Sequence, residues 1–360
     1  MGKYNICVYA ICKNEERFVE RWMDSVSEAD LVVVTDTGST DSTVERLRAR
    51  GAVVYTEHIE PWRFDTARNL AMDHIPLDVD ICVPSDLDEV FERGWRNKLE
   101  DAWRPEYTRA RYRFNLSVNP DGTPRKQYLM EKIHRRQGFR WAHPVHEVLE
   151  YSGSDPDRVV WVDMVLNHYP DNTKSRRQYL PLLELSAAEN PSDDRTAFWL
   201  GREYVFNGRY DLAIMQLKKH LALPAAQWKE ERSASMRYLA HAYDRKGDAQ
   251  TAKAWLFRAI AECAQVREPY YDMLKLAYRQ GDWTLAVLMV QRALDITHKS
   301  GSYLTEEEAW GVSLYDLGAI ACYHLELYEQ AYEYAKTACD LCRDNKRLRN
   351  NLILIDAKRT

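Results

Sequence analysis

Ile81-Cys82-Val83-Pro84-Ser85-Asp86-Leu87-Asp88-Glu89 decides how this chain is read. A short apolar run ends in three carboxylates. Unpaired buried carboxylates are expensive, so like charges at the end of a buried strand need a partner. A divalent cation carrying a diphosphate is one such partner, because hard oxygen ligands at alternate positions suit Mg²⁺ or Mn²⁺. A solvated acidic loop is the plainer alternative, and Asp-x-Asp alone does not separate the two. The flanking chain does.

Before this stretch, strands and helices alternate. Tyr4 to Cys12 reads as a strand. Glu15 to Val26 carries Phe18, Val19, Trp22, Met23 and Val26 at helical spacing. Leu31 to Thr35 is a β-branched run of the kind buried on both faces. A helix from Val44 to Arg50, a strand from Ala52 to Thr56, a helix from Ala67 to His74 and a strand from Ile81 to Val83 follow. This alternation predicts a parallel sheet. In such sheets ligands sit beyond the carboxyl ends of the strands. Lys13-Asn14-Glu15, the Asp36 loop and Asp86-Leu87-Asp88 all fall at those ends.

Four blocks carry a resemblance. They are Ile11-Cys12-Lys13-Asn14-Glu15-Glu16, Val34-Thr35-Asp36-Thr37-Gly38-Ser39-Thr40-Asp41-Ser42-Thr43, Phe64-Asp65-Thr66-Ala67-Arg68-Asn69-Leu70-Ala71, and the Asp-x-Asp run. In this order they resemble the family 2 inverting glycosyltransferases over about residues 3 to 170. The pattern is similar to the "KNE" branch, which includes lipopolysaccharide-core glucosyltransferases and bacteriocin S-glycosyltransferases. Pro84-Ser85 departs from the Trp or Leu strand that precedes Asp-x-Asp-Glu in many members, though Pro is tolerated at a strand end.

The resemblance implies an α/β GT-A catalytic domain, a Rossmann-like mixed sheet, acting on a nucleotide-sugar donor such as UDP-glucose or a related UDP-sugar. It implies Mn²⁺ or Mg²⁺ held directly by Asp88, with Asp86 as a further ligand that also approaches the sugar or ribose. His168 completes the metal shell in the same reading, against the plainer one of a hydrogen-bonded structural histidine. The cation would neutralise charge on the departing nucleotide. Ala10, Asn14, Glu15, Asp36, Arg68, Asp86 and Leu87 are the expected donor contacts. An inverting transferase needs a base on the acceptor side. Within Gly138 to Glu147 the candidate is Glu147, with His146 behind it; His143 is structural or touches the acceptor.

The residue types fit these roles. Asp36 at a strand end can accept from a uracil imide or a ribose. Ser39, Thr40 or Asp41 reads as a helix cap, with Gly38 as the flexible residue. Asn14 and Glu15 can cap the first helix and still meet the donor. Arg68 can pair with Asp86 or approach the diphosphate, since Arg suits bidentate oxygen partners. No Walker loop or Gly-x-Gly-x-x-Gly is present. Thr108 to Val118 and Gln127 to Arg136 read as strands around the turn signal Asn119-Pro120-Asp121-Gly122, and Val159 to Val165 as another.

From residue 174 the composition changes, which divides the chain into 1–173 and 174–360. Lys174-Ser175-Arg176-Arg177 opens a linker helix running to Asn190-Pro191. Then the chain repeats: Gly208 precedes Ala213, Gly247 precedes Ala252, Gly281 precedes Ala286 and Glu326 precedes Ala331, always by five. Leu221, Ile260, Leu294 and Cys339 fall eight after each Ala. The pattern resembles degenerate tetratricopeptide repeats, an all-α helical repeat domain. Its expected role is holding an acceptor peptide, protein or glycan; a stabilising or dimerising appendage is the alternative.

The 360 residues suit two domains, and a net charge of −5 gives no nucleic-acid footprint. Arg343 to Arg349 reads as a basic, solvated helix end. Seven scattered cysteines, with Cys339-x-x-Cys342 lacking a second pair, point to reduced thiols and a cytoplasmic setting rather than zinc. No stretch reaches the ~20 apolar residues of a membrane span and no signal-peptide layout opens the chain; peripheral membrane association and a homo-oligomer stay open. The main expectation is a metal-dependent inverting hexosyltransferase. The alternatives are a non-catalytic repeat scaffold on a nucleotide-binding GT-A fold, or a transferase acting on a modified nucleobase.

Overall fold

A computed structural model describes residues 2–119, 122–171 and 178–359. The chain forms two compact units, Met1–Ser186 and Ala187–Thr360. The expected boundary at residue 173, and the helix start at Lys174 to Arg177, lie outside the described residues, as do Pro120 and Asp121 of the expected turn.

In the first unit the chain order is β1 (Ile6–Cys12), α1 (Val19–Val26), β2 (Leu31–Asp36), α2 (Thr43–Ala49), β3 (Val53–Thr56), α3 (Phe64–Asp73), β4 (Ile81–Pro84), β5 (Glu89–Phe91), α4 (Trp95–Ala102), β6 (Arg109–Val118), β7 (Pro124–Arg135), β8 (Phe139–Ala142), β9 (Val148–Tyr151), β10 (Val159–His168) and α5 (Tyr179–Glu189). Eight strands form one sheet in the order β3-β2-β1-β4-β7-β6-β10-β5, and β8-β9 make a separate hairpin. The pairs β3-β2, β2-β1 and β1-β4 are parallel, as the alternation predicts. Beyond β4 the sheet is mixed: β7 runs antiparallel to β4 and β6, β10 runs parallel to β6, and β5 closes the edge antiparallel to β10.

Side chains of β1 alternate between two cores. Ile6, Val8, Ala10 and Cys12 pack with Trp22, Leu47, Trp95 and Leu99 on one face. Cys7 and Tyr9 pack with Ala71, Met72, Phe139 and Trp141 on the other. A period of two with both faces apolar is the signature of a covered parallel sheet. Helix α1 begins at Val19, later than expected, because Asn14 takes a positive φ of 55° and residues 16–18 form a turn instead of a helical start. Strand β10 continues three residues past Val165 and so carries His168 to the sheet edge opposite Glu89.

The second unit contains α6 (Asp194–Phe206), α7 (Tyr210–Ala222), α8 (Lys229–Arg245), α9 (Ala249–Glu262), α10 (Glu268–Gln280), α11 (Trp283–Asp295), α12 (Val312–His324), α13 (Tyr328–Leu341) and α14 (Lys346–Asp356), with a single 3₁₀ turn at Glu307–Ala309. The helices stack as pairs. Gly208, Gly247 and Gly281 close the first helix of three pairs with positive φ, and Glu326 holds the same left-handed conformation at φ 59° in the fourth. Ala213, Ala252, Ala286 and Ala331 are buried at the helix contacts. An added Cβ on Gly201 would stand 2.6 Å from Leu217, and one on Gly318 2.8 Å from Val290, so these helices approach too closely for any side chain. The residues eight after each Ala are only half-buried; the fully buried positions are seven after it, at His220, Ala259, Ala293 and Ala338. Among the described residues no helix is long and apolar enough to cross a membrane.

Candidate active site

The ends of β1 and β2 are held by a reciprocal latch. Asp36 is buried, and its carboxylate accepts from the backbone N–H groups of Gly38 (3.2 Å) and Ser39 (3.1 Å). The Asn14 side-chain Oδ1 accepts from Thr40 N–H (2.7 Å), and Asn14 backbone N–H donates to Ser39 Oγ (2.9 Å). Glu15 N–H donates to Thr43 Oγ1 (2.7 Å). The helix cap differs from the expected one: the N-cap of α2 is Ser42, which makes no side-chain cap bond, while Asp41 accepts from Thr43 N–H (3.0 Å). Asp36, Asn14 and Glu15 therefore shape the loop above the strands with the groups expected to meet a donor.

Two expected donor contacts are core residues. Ala10 and Leu87 are 1% and 2% exposed and pack in the apolar cluster under the sheet, because β1 and the β4 end turn these side chains inward. Only their backbone can face a ligand.

Arg68 organises the centre. It lies on α3, is buried, donates from Nε to Glu147 (2.5 Å), and pairs through Nη2 with Asp86 (2.9 Å). The expected Arg68–Asp86 pair is present, and Glu147 shares the same guanidinium. Burial alone would raise the pKa of Glu147, but Arg68 and then Lys132 hold it below the ordinary range. Asp86 is held low in the same way, burial being outweighed by Arg68 and Lys132. Glu89 receives less help: burial and the neighbouring Asp86 push it up to about 7.

Lys132 was not singled out from the sequence. It sits on β7, two residues before His134, and its ammonium lies 5.7 Å from the Trp141 ring. Its charge acts on Asp86, Glu89 and Glu147 together. Local sequence held no signal for it, because the pairing of β7 with β4, which ends in the acidic run, appears only in the structure.

Asp88 and His168 meet at the sheet edge. His168 Nε2 stands 3.3 Å from Asp88 Oδ2. His168 Nδ1 lies 3.1 Å from the Leu116 carbonyl, which can only accept, so Nδ1 carries a proton, and Nε2 meets the Asp88 carboxylate favourably only when it is protonated too. Asp88 O accepts from Tyr169 N–H (2.8 Å), which fixes the strand end. Burial disfavours the charged imidazole, but Asp88 outweighs it and raises the His168 pKa. Asp86, expected as a further ligand, is paired with Arg68. Among the described residues no three His, Cys, Asp or Glu side chains converge to hold a metal by themselves.

The donor set still fits a cation. One imidazole nitrogen oriented through its other N–H, one carboxylate and a diphosphate make a site of the kind Mg²⁺ or Mn²⁺ favours, since such ions take one or two carboxylates plus substrate oxygens rather than an all-protein cage.

The side expected to meet an acceptor is built by the β8–β9 hairpin. The Asn69 side chain clamps it, accepting from Trp141 N–H (2.9 Å) and donating to Trp141 O (2.8 Å). Trp141 Nε1 donates to Tyr9 OH (3.0 Å), and that hydroxyl donates to His134 Nε2 (3.0 Å), whose Nδ1–H is taken by Arg135 O. His143 and His146 both adopt positive φ, 75° and 53°, flanking buried Pro144 and Val145. Such conformations are uncommon for residues with a Cβ and cluster at functional sites. The bend presents Glu147 to Arg68, and His146 packs edge-on against Tyr179 at 5.5 Å.

Residues 7–152 match the family model described as Glycosyl transferase family 2. The match lies within the first unit. No curated protein matches the chain. Solved structures similar to it include "Crystal structure of MamA protein" (20% identity, 45% of this chain and 79% of that one, TM-score 0.36). The APC/C hetero-tetramer Cut9-Hcn1 is similar at 15% identity, 51% of this chain and 33% of that one, TM-score 0.40. The C-terminal part of a TPR repeat-containing protein from Cytophaga hutchinsonii is similar at 14% identity, 51% and 66% coverage, TM-score 0.41.

Proposed function

We propose that the chain is a metal-dependent inverting glycosyltransferase that moves a sugar from a UDP-sugar to a peptide, protein or glycan acceptor. The observation that carries this reading is the Asp88–His168 pair beside the Arg68–Glu147–Asp86 cluster at the carboxyl ends of the parallel strands. Asp88 and His168 would hold Mn²⁺ or Mg²⁺. When bound, the cation supplies Lewis-acid neutralisation of the leaving diphosphate.

The remaining steps belong to the chain. Glu147, held ionised by Arg68, takes the proton from the acceptor nucleophile as that atom attacks the anomeric carbon. Arg68 keeps Glu147 aimed, and Asn69 keeps the hairpin behind it in register. The latch of Asn14, Asp36 and Ser39 forms the nucleotide-side wall. Seven free cysteines support a reducing, cytoplasmic setting.

Calorimetry with UDP, GDP and CDP, with Mn²⁺ and with EDTA, tests the donor half of the proposal. Metal-enhanced UDP binding, followed by slow hydrolysis of a UDP-sugar, is the expected result. Equal binding with and without metal, or no preference for any nucleotide, would remove the reading.

A further inference from the structure

Both cations of the candidate site lie on one indole. The Arg68 guanidinium stands 5.2 Å and the Lys132 ammonium 5.7 Å from the centre of the Trp141 ring, which is 1% exposed. These are also the two cations whose charge holds Asp86 and Glu147 ionised. Like charges crowded into one site repel each other. An aromatic face, negative by its quadrupole, offsets that repulsion most where water is excluded. Lysine has a long flexible stem, so a fixed ring partner narrows where the Lys132 charge acts.

The ring itself is held through each of its residue's polar atoms. The Trp141 backbone N–H donates to Asn69 Oδ1 (2.9 Å), and its carbonyl accepts from Asn69 Nδ2 (2.8 Å). Nε1 donates to Tyr9 OH (3.0 Å), and that hydroxyl meets His134 Nε2 (3.0 Å). Turning the indole therefore breaks a buried hydrogen bond, which costs the desolvation of the group left unpaired. The holders are neighbours of the cations. Asn69 follows Arg68 on α3, and His134 lies two residues beyond Lys132 on β7, at the strand's period of two. The elements that carry the two cations thus also fix the ring they share.

We propose that Trp141 is a positioning residue for transfer: its buried indole sets the places of Arg68 and Lys132, and through them the aim of Glu147 at the acceptor nucleophile. The proposal rests on the transferase reading of the same site. Arg68 donates to Glu147 (2.5 Å), so a guanidinium that leaves the ring takes the base with it. Displacing reacting groups by about 1 Å is enough to cost roughly 10²-fold in rate. The Asp88–His168 pair is built by other elements, the turn after β4 and the end of β10, so donor binding is touched less.

The test uses the full chain with Mn²⁺ and follows hydrolysis of UDP-glucose, UDP-galactose and UDP-N-acetylglucosamine, water serving as acceptor, beside calorimetry with UDP. Trp141→Met keeps an apolar side chain and removes the ring; Trp141→Phe keeps a ring face. Trp141→Met is expected to lower kcat by roughly 10²-fold, with the donor KM and UDP affinity within about threefold of wild type. Trp141→Phe should recover about tenfold of that loss. A packing role alone predicts instead that the two variants fall together, in step with their melting temperatures. Tyr9→Phe removes one oxygen, frees Nε1 and should lower kcat about threefold or more; it decides alone if Trp141→Met does not fold. Equal turnover in Trp141→Met and Trp141→Phe, wild-type turnover in Tyr9→Phe, or a matching loss of UDP affinity overturns the proposal. A wild-type chain that neither binds UDP nor hydrolyses any donor removes the transferase reading and this proposal with it, a failure seen before any variant is compared.

Discussion

Each unit buries one arginine between two carboxylates. In the sheet unit Arg68 joins Asp86 and Glu147; in the repeat unit Arg237 joins Asp272 and Glu306. Both guanidinium side chains are 7% exposed. Their surroundings differ in charge balance. Around Arg68 the carboxylates of Asp86, Asp88, Glu89 and Glu147 outnumber Arg68 and Lys132, an excess that the cation of the proposed function would offset. Around Arg237 the cations Arg237, Arg245, Lys275 and Arg279 meet Asp244, Asp272 and Glu306, and charge is nearly matched. A buried arginine demands anions wherever it sits; the surplus charge beside it decides what else the site takes.

The largest expected effect breaks the acidic side of this comparison. Asp88→Asn should bring transfer and metal-enhanced UDP binding below detection while leaving the melting curve intact. Near wild-type turnover in enzyme stripped with EDTA and restored with Mn²⁺ would show that Asp88 holds no metal.

The next pair separates base from ligand. Glu147→Gln keeps the shape of the Arg68 contact and removes the proton acceptor, so turnover should fall by roughly 10²-fold with donor affinity nearly unchanged. His168→Ala should weaken metal-dependent donor binding by roughly 10-fold or more. Donor titrations in Mn²⁺ on both variants decide it; the opposite pattern exchanges the two roles.

Arg237→Met sharpens the other side. It leaves Asp272 and Glu306 without their buried partner and should destabilise the repeat unit by about 3–5 kcal/mol, the cost of breaking a buried pair. Chemical denaturation followed by tryptophan fluorescence measures it. A loss below about 1 kcal/mol would mean Arg237 is solvated like a surface cation.

A pH effect of a few kcal/mol is expected in the sheet unit. Burial holds His134 neutral with its pKa lowered to about 3, while the unfolded value is the ordinary one near 6.5. The native state therefore binds fewer protons, and stability present above pH ~6.5 should drain away as pH falls toward 3. His134→Gln should flatten the upper part of that slope, between pH 6.5 and 5. An unchanged slope would mean His134 is accessible to protons in the folded state.

The smallest effect compares two repeat turns. Glu326→Gly relieves a left-handed side-chain residue and should stabilise by about 0.5–1 kcal/mol; Gly208→Ala at the matching turn should cost about 1 kcal/mol. Thermal melts of the two variants should shift in opposite directions.

Several parts of this arrangement could be read from local pattern. The strand–helix alternation up to β4, the constant interval between turn and packing Ala, and the acidic run at a strand end each depend on residues close in sequence. Other parts could not be read that way. Lys132 and the β8–β9 hairpin reach the site through antiparallel additions to the sheet that alternation does not announce. Asp36 carried the same residue type for loop cap and ligand, and only its bonds to Gly38 and Ser39 show the first use.

Periodicity and residue type by themselves determined a covered parallel sheet ending in carboxylates, followed by paired helices with glycine turns, because each of those signals repeats within one or two turns of chain. Tertiary structure alone decided that Arg68 and Glu147, 79 residues apart, share one contact, that the Leu116 carbonyl fixes a proton on His168 Nδ1 from 52 residues away, and that the Ile296–Gly311 connection lies on the faces of α6, α8 and α10. Those pairings form only when distant segments are brought together by burial of the cores, and no local pattern of side chains encodes which polar partner a buried charge will meet.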